Sequence, residues 1–433
     1  VSGWYVKAAR YMRRESAAAG ALLPPPRAGE GWGGGVDPPI RAAFVSTNSI
    51  TQGEQVGVLW GWLLAQGIKI AFAHRTFQWS NEARGVAAVH CVIVGFGYGE
   101  PESRTIFEYD DIRGEPHAVP ALNINPYLVD AADVVLTKRS APIAQVPPVS
   151  YGSMAIDDGH LILSADERRA LLADCPDAER YVRRFVGGEE VLNGGERWCL
   201  WLADAPPRLL RECGEIRRRV ALVRDFRGAS GRATTVALAA TPALFGEMRQ
   251  PQRRYLAIPK VSSENRTYLP VALLDLETIA SGSLLVMPGG GHYEFGVMAS
   301  AMQIAWLRAV GGRMKSDLQF SSTLVYNNFP WPDAPTDAQR AKIEACAQAV
   351  LDARAAHPGA SLADLYDPLT MPAALLQAHR ALDAAVDAAY GRKSFKSDAE
   401  RVAFLFERYQ QLTSLLPAAK PAGKRKAAAR PPR

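Results

Sequence analysis

Apolar and polar positions follow two different periods along this chain, and the changes of period divide it. From Trp4 to Tyr11 apolar and aromatic residues recur at helical spacing, until Pro24-Pro25-Pro26 and Gly31 to Gly35 end any helix and read as a surface loop. Ala42-Ala43-Phe44-Val45-Ser46 reads as a short buried strand, and Gln55 to Gln66 as an amphipathic helix. Ile68 to Ala73 and Val86 to Phe96 read as two further strands. Strand, helix, strand, strand predicts the closing half of an α/β sheet whose last strands need not all be parallel.

The chain then changes character. From about Pro120 to Val149 it is proline-rich with little periodicity, so a first unit over residues 1–120 is followed by a linker over 121–149. Residues 150–332 mix strand-like runs (Arg197 to Leu202, Tyr255 to Pro259, Ser283 to Met287) with helical ones (Ala165 to Ala173, Pro207 to Arg224, Phe295 to Val310), which predicts an α+β domain. Pro330-Trp331-Pro332 stops it. Residues 333–417 read as helical, over about Ala338 to Ala355, Ala373 to Tyr390 and Asp398 to Leu416, and the basic end 418–433 is expected to be disordered.

Composition narrows the class. With 48% apolar and 22% charged residues, the chain has the balance of an ordinary globular protein. No apolar run approaches the roughly 20 residues that cross a bilayer. The five cysteines are scattered without a C-x-x-C pair, so neither a zinc site nor a disulfide framework is predicted, and the expected compartment is the reducing cytoplasm. The net charge of +6 fits a polyanionic partner, although part of it comes from Lys420, Lys424, Arg425, Lys426, Arg430 and Arg433. Val1 opens in the middle of an amphipathic pattern with neither an initiator Met nor signal-peptide architecture, which reads as a truncated start.

Several signals invite a chemical reading and lose to a plainer one. Asp37-Pro38-Pro39-Ile40 is close to the Asp/Asn-Pro-Pro-aromatic tetrapeptide with which amino-methyltransferases hold an exocyclic amine, but Ile40 cannot stack on a base, and the tetrapeptide precedes a strand instead of following one. Gly31 to Gly35 and Gly289-Gly290-Gly291 lack the strand, glycine turn and helix order of a phosphate cradle and read as turns. The histidines, among them His90, His160 and His292, lack ligand spacing.

Other segments keep a functional reading beside a structural one. Ser46-Thr47-Asn48-Ser49 and Thr51-Gln52-Gly53-Glu54 sit where a strand enters a helix, either at the carboxyl edge of a sheet where such folds bind ligands, or as a capping box of Ser49 or Thr51 with Glu54. Phe77 and Trp79 follow the strand Ile68 to Ala73 on what reads as a loop at a sheet edge, and one or the other is suited to clamp a base drawn out of the stack. Arg253-Arg254-Tyr255 and the run from Lys260 through Ser262, Ser263, Glu264, Asn265 and Arg266 to Tyr268 interleave basic, hydroxyl and amide groups around a strand–loop–strand, as do Arg308, Arg313, Lys315, Ser316 and Asp317. Such groups neutralise phosphates and read base edges, or simply solvate a hairpin.

Longer strings carry a resemblance. Val45-Ser46-Thr47-Asn48-Ser49-Ile50-Thr51-Gln52-Gly53-Glu54-Gln55-Val56, Arg75-Thr76-Phe77-Gln78-Trp79-Ser80-Asn81-Glu82-Ala83, Arg197-Trp198-Cys199-Leu200-Trp201-Leu202, Pro259-Lys260-Val261-Ser262-Ser263-Glu264-Asn265-Arg266 and Tyr326-Asn327-Asn328-Phe329-Pro330-Trp331-Pro332 resemble the MmeI-like class of DNA methyltransferases over roughly residues 1 to 415. The resemblance implies the C-terminal half of a Rossmann-like class I methyltransferase sheet, then an α+β target recognition domain, then a helical C-terminal region. It implies methylation of the adenine N6 amine in double-stranded DNA with S-adenosylmethionine and no metal, within a restriction–modification or defence system.

By the same resemblance, Ser46 and Asn48 lie near the methyl-transfer pocket and Phe77 or Trp79 near the flipped adenine. Arg254, Lys260, Ser262, Ser263, Glu264, Asn265, Arg266, Tyr268, Arg313 and Lys315 lie against DNA. The cofactor loop, the acidic residue for the cofactor ribose and the Asn-Pro-Pro-aromatic motif are expected upstream of Val1, in a missing N-terminal half that often includes a nuclease domain, so the chain alone is expected to be inactive. The competing readings are a stand-alone DNA-binding specificity subunit and an RNA methyltransferase.

Overall fold

The computed structural model describes residues 2–21, 40–79 and 89–414. The loop Gly31 to Gly35, the Asp37-Pro38-Pro39 tripeptide, Ser80 to Ala83 and the basic end lie outside the described residues.

Helix α1 (Ser2–Ala21) is followed by strand β1 (Arg41–Thr47), helix α2 (Glu54–Ala65) and strands β2 (Ile68–Trp79), β3 (Val89–Tyr98), β4 (Arg104–Glu108) and β5 (His117–Ala121). The strands form one sheet in the order β1-β3-β2-β4-β5. Only the β2–β4 pairing is parallel, so the sheet is mixed, as the strand order along the chain allowed. Strand alternation sorts the two faces. Val92, Val94 and Phe96 of β3 turn toward α1 and α2, where Tyr5 stacks on Phe96 at 5.0 Å and meets Trp60 edge-on at 5.9 Å. Burying side chains of this size contributes about 1.5–3 kcal/mol each. The opposite face is open along β1, where Val45 is 53% exposed.

Residues 122–149 have no regular elements, yet they are not a loose linker. Tyr127, Val134 and Leu136 are buried, and the fully buried Asn125 accepts the amides of Tyr127 and Val129 on its side-chain oxygen. The Tyr326–Pro332 string holds this strap. Asn328 Nδ2 donates to Thr137 O and Leu324 O, Asn327 Nδ2 donates to Arg139 O, and the Tyr326 hydroxyl donates to Pro147 O. An irregular backbone must have its polar groups met when it is buried, and asparagine amides supply the donors.

The following block has its own small core. Strands β6 (Ser150–Tyr151) and β7 (Ile162–Leu163), helix α3 (Ala165–Asp174), strand β8 (Val182–Val186), helix α4 (Gly188–Asn193) and strand β9 (Trp198–Leu200) come first. Helices α5 (Pro207–Glu212), α6 (Gly214–Gly228) and α7 (Ala233–Ala237) follow. The single helix expected over Pro207 to Arg224 is therefore two, because Cys213 adopts an extended backbone between them.

Inside this lobe Arg227 is fully buried and donates to the carbonyls of Ala155, Ile156, Leu238, Thr241 and Leu244. Its charge is dispersed over carbonyl dipoles, and burial lowers its pKa. Arg219 plays a similar part through Glu167, Glu215 and the carbonyls of His160 and Ile162.

Strands β10 (Tyr255–Pro259), β11 (Val261–Ser262), β12 (Ala272–Leu274), β13 (Ile279–Ala280) and β14 (Leu284–Pro288) build three further sheets: β12-β10-β14-β6, β13-β8-β9-β7 and, with the hairpin β15 (Gly312–Met314) and β16 (Asp317–Gln319), β11-β16-β15. Helices α8 (His292–Met298) and α9 (Ala301–Val310) replace the one helix expected over Phe295 to Val310, since Ser300 breaks it as the N-cap of α9. The chain closes with α10 (Asp337–Ala355), α11 (Leu362–Leu365), α12 (Ala373–Ala389) and α13 (Asp398–Thr413), and the side chains of Thr336 and Ser397 cap α10 and α13. One contiguous core runs from Tyr5 through the strap to Tyr409, so the first sheet, α8, α9 and the C-terminal helices share a single interior.

Gly289-Gly290-Gly291 does connect a strand, β14, to a helix, α8, contrary to the order read from the sequence. It is still not an anion cradle. Glu294 Oε2 already accepts the Gly291 amide, while Gly289 has φ +73° and a Cβ on Gly290 would come within 2.9 Å of Leu256.

Candidate functional site

Register across the first sheet brings its sequence-predicted residues to one end. Thr47 at the end of β1 pairs with Cys91 of β3, and Cys91 pairs with Phe77 of β2. Gln78 and Trp79 then pair with His90 and Val89, so the carboxyl ends of β1 and β2 lie on one row, where α/β sheets hold ligands.

Phe77 and Trp79 are not on an edge loop. They belong to β2, an interior strand, because β2 continues its pairing with β3 through a register shift between His74 and Phe77. The shift places His74, Phe77 and Trp79 opposite Ile93, Cys91 and Val89, hence on one face. His74 stacks on Phe107 of β4 at 4.2 Å and its Nδ1 lies 2.9 Å from the Tyr109 hydroxyl, while Tyr109 stacks on Phe77 at 5.5 Å. Burial lowers the His74 pKa, so the ring is neutral and Tyr109 is held by a neutral imidazole. Trp79 stands 6.4 Å from Phe77 and is 51% exposed. His74, Phe107 and Tyr109 escaped the sequence reading. The alternation Phe107-x-Tyr109 was the available signal, and it became informative only with the β2–β4 register.

The polar segment after β1 is more structural than the sequence suggested. Ser46 is buried, with its hydroxyl 3.1 Å from that of Tyr5, and burial pushes the Tyr5 pKa up to about 12. Asn48 is also buried and its carbonyl accepts from Thr51 Oγ1. No capping box forms here, because α2 is N-capped by Gly53 at φ 61°, ψ −149°, a backbone state that a side chain resists. Gly53 also donates to Val310 O, and a Cβ there would come within 3.1 Å of Gly312 Cα. Gln52 Oε1 is buried without a partner.

That close approach begins a seam between the sheet and the recognition segments. Across it, Glu264 Oε2 lies 4.0 Å from His90 Nδ1 on β3. Burial pushes the Arg313 pKa down to about 10 against the pull of Glu264, and its buried Nη1 has no partner among the described residues while Nη2 donates to Arg308 O. Arg266 donates to Ser262 Oγ at 3.3 Å, and burial lowers its pKa against the pull of Asp317 and Asp367. Asn265 is exposed at the tip of the Ser263–Arg266 turn. Lys315 is exposed at the tip of the β15–β16 hairpin with φ 58°. Lys260, half-buried, lies over the Tyr151 ring at 4.7 Å.

Two of the predicted DNA contacts are internal. Ser262 is buried, and Tyr268 is 4% exposed, donates to Asp383 Oδ2 at 2.8 Å and stacks on His379 at 4.0 Å. Tyr268 therefore ties the recognition segment to α12. Arg254 is exposed but precedes β10, whereas Lys260 follows it, so roughly 20 Å of strand separates them.

Among the described residues, the glycine turns after β8 and β14 are closed by their own glutamates, Glu190 and Glu294, and the Gly53 amide before α2 is taken by Val310 O. They do not fit S-adenosylmethionine. No described group of three or more His, Cys, Asp or Glu residues is placed to hold a metal, and no described helix is long and apolar enough to cross a membrane.

Comparison with known proteins gives this geometry a context. Three family models match: the MmeI DNA-methyltransferase domain over residues 35–108, the MmeI target recognition domain over 130–333 and the MmeI C-terminal domain over 335–417. DNA methyltransferase A of Bacillus subtilis (strain 168) is 38% identical over 373 residues, which are 86% of this chain and 42% of the relative. The solved structure of the type IIL restriction-modification enzyme MmeI in complex with DNA superposes with a TM-score of 0.81 at 46% identity, covering 96% of this chain and 52% of that one. The chain spans about half the length of these relatives.

Proposed function

We propose, from the premise that this chain belongs to the MmeI family of DNA methyltransferases, that it supplies the base-holding end of a catalytic sheet together with the domain that reads DNA. The whole enzyme then methylates the adenine N6 amine in double-stranded DNA, in a restriction–modification or defence setting. The carrying observation is the seam: Glu264 of the recognition turn meets His90 at the end of the sheet whose other face holds Phe77 and Trp79. A base drawn from a duplex held at the Ser263–Arg266 turn and the β15–β16 hairpin would reach Phe77 and Trp79 around that end of the sheet. Phe77, backed by Tyr109, offers it a ring face, and the exposed Trp79 a second.

The reading assigns Asn265, Arg266, Ser263, Glu264, Lys260 and Lys315 to the DNA side. Ser46, Ser262 and Tyr268 hold the segments that carry them, and Arg313 supports Glu264 from within. S-adenosylmethionine would supply the methyl group, and its site is placed on the part of the relatives that this chain does not span. This chain's residues orient the base and exclude water from it. We place the domain boundaries at about 120, 150 and 332, with residues 121–149 a pinned strap.

A mobility shift of the chain on random-sequence duplex pools across a salt series tests this. Retained, salt-sensitive and sequence-selective binding is expected, without methyl transfer by the chain alone. A folded chain that binds no duplex, or prefers single-stranded RNA, overturns it.

A further inference from the structure

Helices α5 and α6 carry Arg208, Arg211, Arg217, Arg218, Arg219, Arg224 and Arg227, and the structure sorts them sharply. Arg227 is used up on carbonyls. Arg208 pairs with Glu212 at 2.8 Å, Arg218 with Glu215 at 2.7 Å, and Arg219 with Glu167 and Glu215. The remainder, Arg211, Arg217 and Arg224, have no carboxylate within ion-pair reach among the described residues, and all of them line the same groove of about 470 Å³. Its floor is apolar, built from residues such as Leu210, Val220, Pro242 and Leu244, and no acidic residue lines it.

Chance sorting of this kind is disfavoured by charge repulsion. Three like charges held around one concave surface without counterions raise the local potential, and that cost is recovered when a polyanion replaces water there. Arg217 and Arg224 are two helical turns apart on one face of α6, roughly 10 Å along its axis, so they form a rail and not a point site. Guanidinium forks match phosphate oxygens, and the apolar floor between them suits the sugar faces that separate successive phosphates.

We infer that the α5–α6 groove is a second contact with duplex DNA, binding the phosphodiester backbone outside the sequence-reading seam through Arg211, Arg217 and Arg224. The inference rests on the reading of the chain as a DNA binder. The groove adds affinity and holds the duplex in register, without base discrimination.

The test compares two triple variants of equal charge. Arg211→Ala/Arg217→Ala/Arg224→Ala removes the groove arginines. Arg169→Ala/Arg208→Ala/Arg218→Ala removes exposed arginines that are already paired with carboxylates. All six positions are exposed, and circular dichroism checks that both variants fold. The readout is the slope of log affinity against log salt on a random-sequence duplex. The groove variant should lower the slope by about 2 to 3, near 0.9 per phosphate contact, with sequence preference kept, and the control should leave it nearly unchanged.

Equal falls in both variants, or no fall in the groove variant, overturn the inference while leaving the DNA reading intact. A wild-type chain that binds no duplex sinks that reading and this inference together. A groove variant that keeps the DNA slope but loses binding to a polyglutamate peptide also overturns it, assigning the groove to an acidic protein partner.

Discussion

Arg227 and Arg313 are both withdrawn from solvent, and they are used in opposite ways. Around Arg227 the carbonyls of Ala155, Ile156, Leu238, Thr241 and Leu244 all converge, so the loops of the recognition lobe are fixed by one guanidinium and nothing is left for a ligand. At the seam, the buried Nη1 of Arg313 has no partner among the described residues, Glu264 acts on the Arg313 charge and lies 4.0 Å from His90, and Asn265 and Lys315 are exposed. The first arrangement is saturated, and saturation makes it architecture. The second is only partly satisfied, so it leaves polar capacity that the first has already used.

Removing the saturated centre should have the largest effect. Arg227→Met keeps the apolar stem but removes the guanidinium from five carbonyls and leaves those of Ile156 and Leu244 with no other donor among the described residues, so stability should fall by about 2–4 kcal/mol. Urea unfolding monitored by far-UV circular dichroism measures it. A loss below about 1 kcal/mol would show that the lobe reorganises and that the five bonds do not organise it.

An intermediate effect is expected where Tyr268 meets α12. Burial raises the Asp383 pKa to about 6 from an ordinary 3.8, against the opposing bonds from the Ala301 amide and Tyr268. The folded state then holds a proton that the unfolded state has released. The contribution of Asp383 is fully present below about pH 4 and is lost as pH rises through about 6. Asp383→Asn keeps an acceptor for the Ala301 amide and should flatten the stability profile between pH 4 and 6. An unchanged slope in that window would mean that the carboxyl is already ionised there.

The smallest effect sharpens the contrast from the other side. Lys315 holds φ 58° at an exposed hairpin tip, where a Cβ is strained. Lys315→Gly should raise stability by up to about 1 kcal/mol while lowering the salt slope of DNA binding by about 1. A lysine kept in a strained turn for reach must show both changes. A gain in stability with unchanged binding would remove Lys315 from the DNA side.

The strings Val45 to Val56 and Lys260 to Arg266 were legible as segments of the family, but the setting of the residues within them was not. Ser46, Ser262 and Tyr268 resemble site residues by type and turn inward: Tyr5 and Asp383 arrive from distant segments to meet Ser46 and Tyr268, while Arg266 meets Ser262 from four residues on. Phe77 and Trp79 were visible as aromatics out of place. Their setting on an interior strand, and their partners His74, Phe107 and Tyr109, were hidden because a bulge changes the parity of a strand without leaving a mark in hydrophobic period. The strap over 122–149 looked like a linker for a related reason: donors brought from Asn327 and Asn328 satisfy its backbone, and nothing local predicts them.

The sequence by itself determined the order of the elements, the mixed sheet followed by an α+β block and C-terminal helices, and the family to which the chain belongs. Period and capping act within a few residues and long strings survive as strings. The tertiary structure alone decided which arginines are paired or buried and which stay unpaired among the described residues, and that His90, Glu264 and Phe77 gather at one end of a sheet. Pairing register and the meeting of residues far apart in sequence are set by the whole core, which no local pattern encodes.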